Sequence, residues 1–293
     1  MQIPVPVRRV GVVTTGHGMG HREHVYGTKK PAYWWIFFGK ERVRLPVNVY
    51  VIEHADGLVL FDTGADPRVA TDPEYWPSPV TGFFMRHIFD WEITPEDNLA
   101  TQLERAGYSA SDVAKAVMSH LHADHVGGIR HIPQADLFVA EEAWEHMLGL
   151  HPDREMVLRR DIAILGAKWR AIDFQPTDDP MLAPFTESFD LMGDGSMIVL
   201  RTPGHLAGAV SMLVRRSDAP PVLLVGDLTY GDEFLEQNRT PANGDREVLL
   251  ESFAKVKALR DNNPGLIILP AHDLQAAEKL GQESADPSPA GVS

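Results

Sequence analysis

Six consecutive residues, His120-Leu121-His122-Ala123-Asp124-His125, restrict what this chain can fold into more than anything else in it. Three imidazoles and one carboxylate crowd into a short piece of backbone, with Val126-Gly127-Gly128 directly behind them. Imidazole and carboxylate are the nitrogen and oxygen ligands that zinc-like divalent ions take at about 2.0–2.2 Å. Three histidines this close cannot all serve one ion in good geometry and leave Asp124 idle. The spacing therefore points to two neighbouring ions, with His120 and His122 toward one and Asp124 and His125 toward the other.

Composition sets the limits around that string. The 293 residues include no cysteine, which removes disulfides, thiolate nucleophiles and Cys-containing metal sites together, so any metal must be held by His, Asp or Glu. A net charge of -14, from 27 basic and 41 acidic residues, argues against nucleic acid and against anionic membranes as partners. The start Met1-Gln2-Ile3-Pro4-Val5-Pro6 lacks the charged opening and apolar stretch of a signal peptide, and no apolar run approaches a bilayer-spanning length. Cytoplasmic residence is the expectation.

Short apolar runs that end in Gly, Asp or Pro alternate with helical patterns along the chain. Strands are expected at Val10–Thr15, Val47–Ile52, Leu58–Asp62, Ala135–Ala140, Trp169–Phe174, Phe189–Met192, Met197–Arg201, Gly208–Val214, Val222–Val225 and Leu266–Leu269. Val113–Met118 reads as a helix end or a strand. Thr94-Pro95-Glu96-Asp97 has the cap, proline and acidic residue of a helix start, and Leu99, Leu103 and Ala106 follow on one face before Gly107. Helices are also expected at Glu141–Leu148, at Arg154–Leu165, and where Leu249, Phe253, Val256 and Leu259 form one stripe. The Pro- and aromatic-rich stretch 65–93 shows no period and is expected as a loop insertion. Strands followed by helices in both halves suggest two packed βα layers within one domain over 1–280, with a flexible tail over 281–293.

Three further ligands stand at expected strand ends. His205 closes Thr202-Pro203-Gly204-His205, Asp227 follows Gly226, and His272 lies in Pro270-Ala271-His272-Asp273. Alone, each reads as an ordinary turn aspartate or core histidine; after a two-metal string they read as a set. The order HxHxDH, TPGH, GD and a late His resembles the metallo-β-lactamase superfamily, with motifs running from about Leu58 to Asp273. That resemblance implies an α/β fold, the αββα sandwich. It implies one divalent ion on His120, His122 and His205, a second on Asp124, His125 and His272, and Asp227 bridging them. Zinc is the first expectation for both, although cobalt, manganese and iron accept the same ligands. Phe61-Asp62-Thr63-Gly64 resembles an early motif of the same family, which makes Asp62 the group that orients a ligand imidazole.

Two details are similar to the N-acyl-homoserine lactonases. One is the pair of segments Pro46–His54 and Pro270–Gln275; the other is Tyr230, three residues past Asp227. The likeness implies a hydrolase that opens an acyl lactone ring, a quorum-quenching activity, with Asp124 carrying a proton to the leaving oxygen and Tyr230 donating to the oxyanion. A different lactone, or a thioester as in glyoxalase II, is the alternative substrate of the same site. The aromatics of 33–38 and 75–91 read as core, as an acyl-chain groove, or as the contact of a homodimer. His17, His21 and His24 have ligand-like types but no partners by spacing, and are expected in a loop.

Overall fold

A computed structural model describes residues 6–217 and 219–282. Among them, seven strands form a first sheet: β1 (Val7–His21), β2 (Arg42–His54), β3 (Gly57–Phe61), β4 (Phe89–Glu92), β5 (Val113–Val117), β6 (Asp136–Val139) and β7 (Lys168–Ala171). Their spatial order is β4-β1-β2-β3-β5-β6-β7, antiparallel as far as β3 and parallel beyond it. The second sheet holds β8 (Gln175–Pro176), β9 (Glu187–Asp190), β10 (Met197–Arg201), β11 (Val210–Val214), β12 (Val222–Gly226) and β13 (Ile267–Pro270). Its order is β13-β12-β11-β10-β9-β8, with only β12 and β13 parallel.

The central strands of both sheets are apolar on both faces, because each sheet is sandwiched there. Successive side chains along a strand point to opposite faces. Tyr50, Ile52, Val59 and Phe61 therefore meet Val199, Met212, Leu224 and Leu269 of the second sheet in the middle layer. Their neighbours Val49, Val51, Leu58 and Leu60 face outward. There they are covered by Leu99 and Leu103 of α5 (Leu99–Arg105), Met147 of α7 (Glu141–Leu148) and Ile162 of α8 (Arg159–Ile162). On the far side, Leu200, Leu213 and Leu223 pack under Leu249, Phe253, Val256 and Leu259 of α10 (Arg246–Asn262). The layers run helix, sheet, sheet, helix: an αββα sandwich.

The remaining helices are short: α1 (Arg22–Tyr26), α2 (Ala32–Phe38), α3 (Arg68–Thr71), α4 (Pro79–Ile88), α6 (Ala123–Val126), α9 (Asp232–Glu236) and α11 (Ala276–Lys279). Among the described residues, no helix is long and apolar enough to cross a membrane.

Several expectations are corrected. The expected helix Arg154–Leu165 is divided into a 3₁₀ turn at Pro152–Glu155 and α8, with Met156 between them in the left-handed region at φ 60°. Pro152 starts the first turn, and the helical pattern after it spans two separate pieces. Segment 65–93 carries α3, α4 and edge strand β4, which pairs with the far end of β1. Packing of Tyr75, Trp76 and Met85 against Val47 and Ile93 orders it without a sheet-like or long-helix period. His17 and His21 lie in β1, which runs far beyond Val10–Thr15, and His24 lies in α1 rather than in a loop. Of the expected tail, residues 283–293 lie outside the described residues. Gln282 is tied down: its side chain accepts from Val12 N–H and donates to the Val10 carbonyl, both at 3.3 Å.

Candidate metal centre

The ends of strands from both sheets converge on one point. β5 leads into His120, His122, Asp124 and His125; β10 leads into His205; β12 into Asp227; β13 into His272. The seven side chains are buried and fall into two groups, His120, His122, His205 and Asp227, and Asp124, His125 and His272. Within each group one candidate ligand atom per residue lies within 4.8 Å of the others. Backbone packing at the base leaves no room for error. Gly226 sits at φ 55°, and a Cβ there would stand 2.6 Å from Cβ of Ser119.

Contacts behind the rings fix which nitrogen faces inward in four of the five imidazoles. Asp62, at φ 64°, accepts Ser119 N–H at 2.7 Å, the Ser119 hydroxyl at 2.8 Å and His125 Nδ1–H at 2.8 Å. With its proton given to Asp62, the Ser119 hydroxyl accepts from His120 Nδ1–H at 2.9 Å. His272 Nδ1–H donates to the Pro46 carbonyl at 2.7 Å. Asn243 abuts His205 Nδ1 at 3.2 Å while its own carbonyl oxygen has no partner. Turning that oxygen to the ring satisfies both groups. In each case Nε2 is left bare and directed at the centre.

The inward atoms fit two cations. His120 Nε2 and His205 Nε2 lie 2.9 and 3.2 Å from His122 Nδ1. Neighbouring ligands around a tetrahedral ion with bonds of ~2.0–2.1 Å are about 3.3–3.5 Å apart. Asp227 turns one oxygen to each group: Oδ2 is 3.4 Å from His205 Nε2, whereas Oδ1 is 3.4 Å from His125 Nε2 and 3.2 Å from His272 Nε2. Asp124 Oδ2 completes the second group at 3.6 Å from His272 Nε2 and 3.9 Å from His125 Nε2. His125 Nε2 and Asp227 Oδ1 are buried with no hydrogen-bond partner, an arrangement that costs free energy unless a cation serves both.

Electrostatics divide the rings in the same way. Burial holds His120 and His205 well below the usual imidazole value and His122 at about 4, so all three are neutral and fit to ligate. Burial acts on His125 and His272 too, but carboxylates outweigh it. Asp62, Asp227 and Asp124 raise His125 well above its usual value, and Asp227 and Asp124 raise His272. Burial opposes ionisation of Asp227, yet His272 and His125 hold it well below the carboxylate range. Without cations, this centre draws protons into their place.

Above the centre lies a cavity of ≈ 400 Å³, open solvent at its mouth included. Its floor is His122, Asp124, His205, Asp227 and His272; its roof is His24, Leu45, Val47, Phe89, Trp91, Met156 and Tyr230. Tyr230 stacks on the His272 ring, with centroids 5.5 Å apart and planes at 23°. Burial first, then Asp227 and Asp124, push its phenol well above the usual value, so the proton stays on.

Residues 42–272 match the family model of the metallo-beta-lactamase superfamily. The chain belongs to that superfamily. Among curated relatives of this metallo-β-lactamase-fold chain, the N-acyl homoserine lactonase AttM of Rhizobium radiobacter is 30% identical over 202 residues, 67% of this chain and 70% of its own. An N-acyl homoserine lactonase from a Bacillus species is 26% identical over 269 residues, 92% of this chain and 94% of its own. The fold matches a solved N-acyl homoserine lactone hydrolase holding the product N-hexanoyl-L-homoserine at its catalytic metal centre, with a TM-score of 0.74 at 22% identity over 94% and 96% of the two chains. AidC, described as a dizinc quorum-quenching lactonase, matches with a TM-score of 0.60 at 16% identity over 90% and 87%.

Every site residue expected from the sequence of this superfamily member lies in the cluster or its wall, and Asp62 stands behind His125. Sequence reasoning missed His24, Phe89, Asn243 and Met156. The expected aromatics are divided: Trp35, Tyr75 and Trp76 are buried, Trp91 lines the cavity, and Tyr33, Trp34, Phe37, Phe38, Phe83 and Phe84 are exposed. His24 was in view as part of the His17, His21, His24 group, but its partner is 206 positions away in sequence.

Proposed function

We propose that this protein is a dinuclear-metal lactonase that hydrolyses N-acyl homoserine lactones, and thereby quenches the quorum signals those molecules carry. One observation carries the metal part of the reading: the two oxygens of Asp227 face two separate sets of bare imidazole nitrogens. His120, His122 and His205 would hold one ion, Asp124, His125 and His272 the other, and Asp227 both. Zinc suits this all-N/O donor set, and the dizinc description of AidC supports it. Relatives named for the activity, covering most of the chain, support the lactone substrate.

Two divalent cations held by these residues would supply Lewis acidity and would lower the pKa of a bound water. The chain's own residues do the rest. Tyr230 keeps its proton and donates it as a hydrogen bond to the carbonyl oxygen as negative charge develops there. Asp124, at the floor of the cavity, takes the proton of the attacking water and returns it to the ring oxygen as the carbon–oxygen bond breaks. The product carries a carboxylate and a hydroxyl where the lactone ring was. Leu45, Val47, Phe89, Trp91 and Met156 give the acyl chain an apolar wall.

Ring opening releases a carboxylic acid, so a pH-indicator assay on metal-analysed protein tests the reading. Acyl homoserine lactones are expected to turn over with kcat/KM above about 10⁴ M⁻¹s⁻¹. A lactoylglutathione-type thioester at equal concentration should turn over poorly. Thioester preference, or two bound metals and neither substrate cleaved, would remove the lactonase assignment.

A further inference from the structure

His24 belongs to no ligand set, yet it is buried directly over the reacting centre. Its Nε2 lies 3.0 Å from the phenol oxygen of Tyr230. Three aromatic rings hold it there: Phe89 edge-on at 5.0 Å, Trp35 at 6.0 Å and Tyr230 itself at 5.9 Å. Its carbonyl accepts Ala242 N–H at 3.0 Å, which ties α1 to the connection before α10. A buried ring enclosed in this way keeps one orientation, and so fixes whatever it hydrogen-bonds.

The polarity of that bond decides what Tyr230 can do. A phenol has one proton and its oxygen also accepts. If Tyr230 gave the proton to His24, nothing would remain for a substrate oxygen. Tyr230 lines the cavity together with Asp124 and Asp227, so its single proton can serve a substrate oxygen there only if a lone pair, and not the proton, faces the imidazole. Burial holds His24 neutral, near a pKa of about 4, so the ring has a single N–H to place.

We propose that His24 is the positioning residue for Tyr230: its Nε2–H donates to the phenol oxygen, so that the tyrosine proton is held toward the substrate carbonyl. This rests on the lactonase reading for what the proton meets, but not for how it is held.

Two measurements test it. Long-range nitrogen–proton correlation spectra of zinc-loaded, histidine-labelled protein report the tautomer without any substrate. The His24 resonance, assigned by its loss in His24→Gln, is expected as the Nε2–H form, with a proton shift that changes in Tyr230→Phe. A Nδ1–H tautomer overturns the proposal. In turnover, His24→Phe should lower kcat about tenfold with KM and metal content near wild type, the scale of one hydrogen bond. His24→Gln, which keeps an N–H near the same place, should restore most of the rate. In a Tyr230→Phe background, His24→Phe should cost less than about twofold, because the two act as one unit. A full additional loss in the double variant overturns the proposal and leaves His24 as packing. Wild-type protein that shows the Nε2–H tautomer but opens no lactone overturns the lactonase reading alone.

Discussion

Tyr230 is set between two histidines with different tasks: His272, on which it stacks, belongs to the metal cluster, and His24 holds its oxygen. Replacing Tyr230 by Phe keeps the stack and removes one donor. Metal content should be unchanged and kcat should fall about ten- to hundredfold, a loss read directly from saturation kinetics. Asp62 acts one step further back, taking three hydrogen bonds and aligning His125. Asp62→Asn should weaken metal affinity about ten- to hundredfold, measured by competition with a chromogenic chelator. His24 also predicts a pH effect. Its folded pKa of about 4 lies below the 6.5 of an ordinary imidazole, so between these values the unfolded chain binds a proton that the folded one refuses. The contribution is complete above pH 6.5 and is lost as pH falls toward 4. Metal-free protein should lose about 2–3 kcal/mol through this group between pH 7 and 4.5. Urea unfolding of wild type and His24→Gln at the two pH values would show the difference. The ligands themselves were legible in the sequence because they sit in one short string and three strand ends. His24 was not, since only the third dimension brings residue 24 to residue 230.

At the scale of elements, short strands buried on both faces announce themselves as apolar runs, and β3, β10, β12 and β13 emerge close to their expected bounds. What the pattern does not encode is order imposed from outside. Helix α4 and strand β4 form in a stretch without period because Tyr75, Trp76, Met85 and Ile93 find a shared cluster. The helix expected over Arg154–Leu165 is split because the left-handed Met156 interrupts it, and helical structure resumes only at Arg159. Local geometry also governs the ligand loops. Gly204 sits at φ 130°, with a would-be Cβ 2.6 Å from Leu249 N at the start of α10. Gly204→Ala must shift either the loop bearing His205 or the helix. Loss of about one metal equivalent by elemental analysis is expected, with a smaller change in circular dichroism. The cap of α10 is separable: Asp245 accepts Glu247 and Val248 N–H, and Asp245→Ala should cost about 1 kcal/mol in denaturant stability. That variant should keep its metals.

Taken as a whole, the molecule is two layers joined by a middle core and, at one edge, by the ligand cluster. Each of the two ligand groups draws on both sheets. His120 and His122 meet His205 and Asp227 in one, and Asp124 and His125 meet His272 in the other. Cations bound there cross-link the sheets and bind only the folded arrangement. Chelation should therefore lower Tm by several degrees and restoring zinc should recover it; an unchanged Tm by calorimetry would show that the sandwich does not depend on them. Apolar runs and helix stripes made two packed βα layers readable from the sequence, and the αββα order followed from the resemblance of the ligand motifs to the superfamily. The cross-linking was not, since it depends on where the sheets meet.

The cavity has a floor and a roof of different construction. The floor is made by strand ends pressed so close that Gly226 leaves no space for a methyl group beside Ser119. The roof is gathered from several segments: α1 gives His24, β2 gives Leu45 and Val47, β4 gives Phe89 and Trp91, the turn before α8 gives Met156, and the turn after β12 gives Tyr230. His24 and Tyr230 are bound to each other and, through the stack on His272, to the floor, whereas Leu45, Trp91 and Met156 are apolar wall outside that chain of contacts. Inheritance can therefore vary those wall positions apart from the floor. A lineage carrying this protein can explore new substrates through its roof while the floor keeps the machinery of hydrolysis constant across descendants.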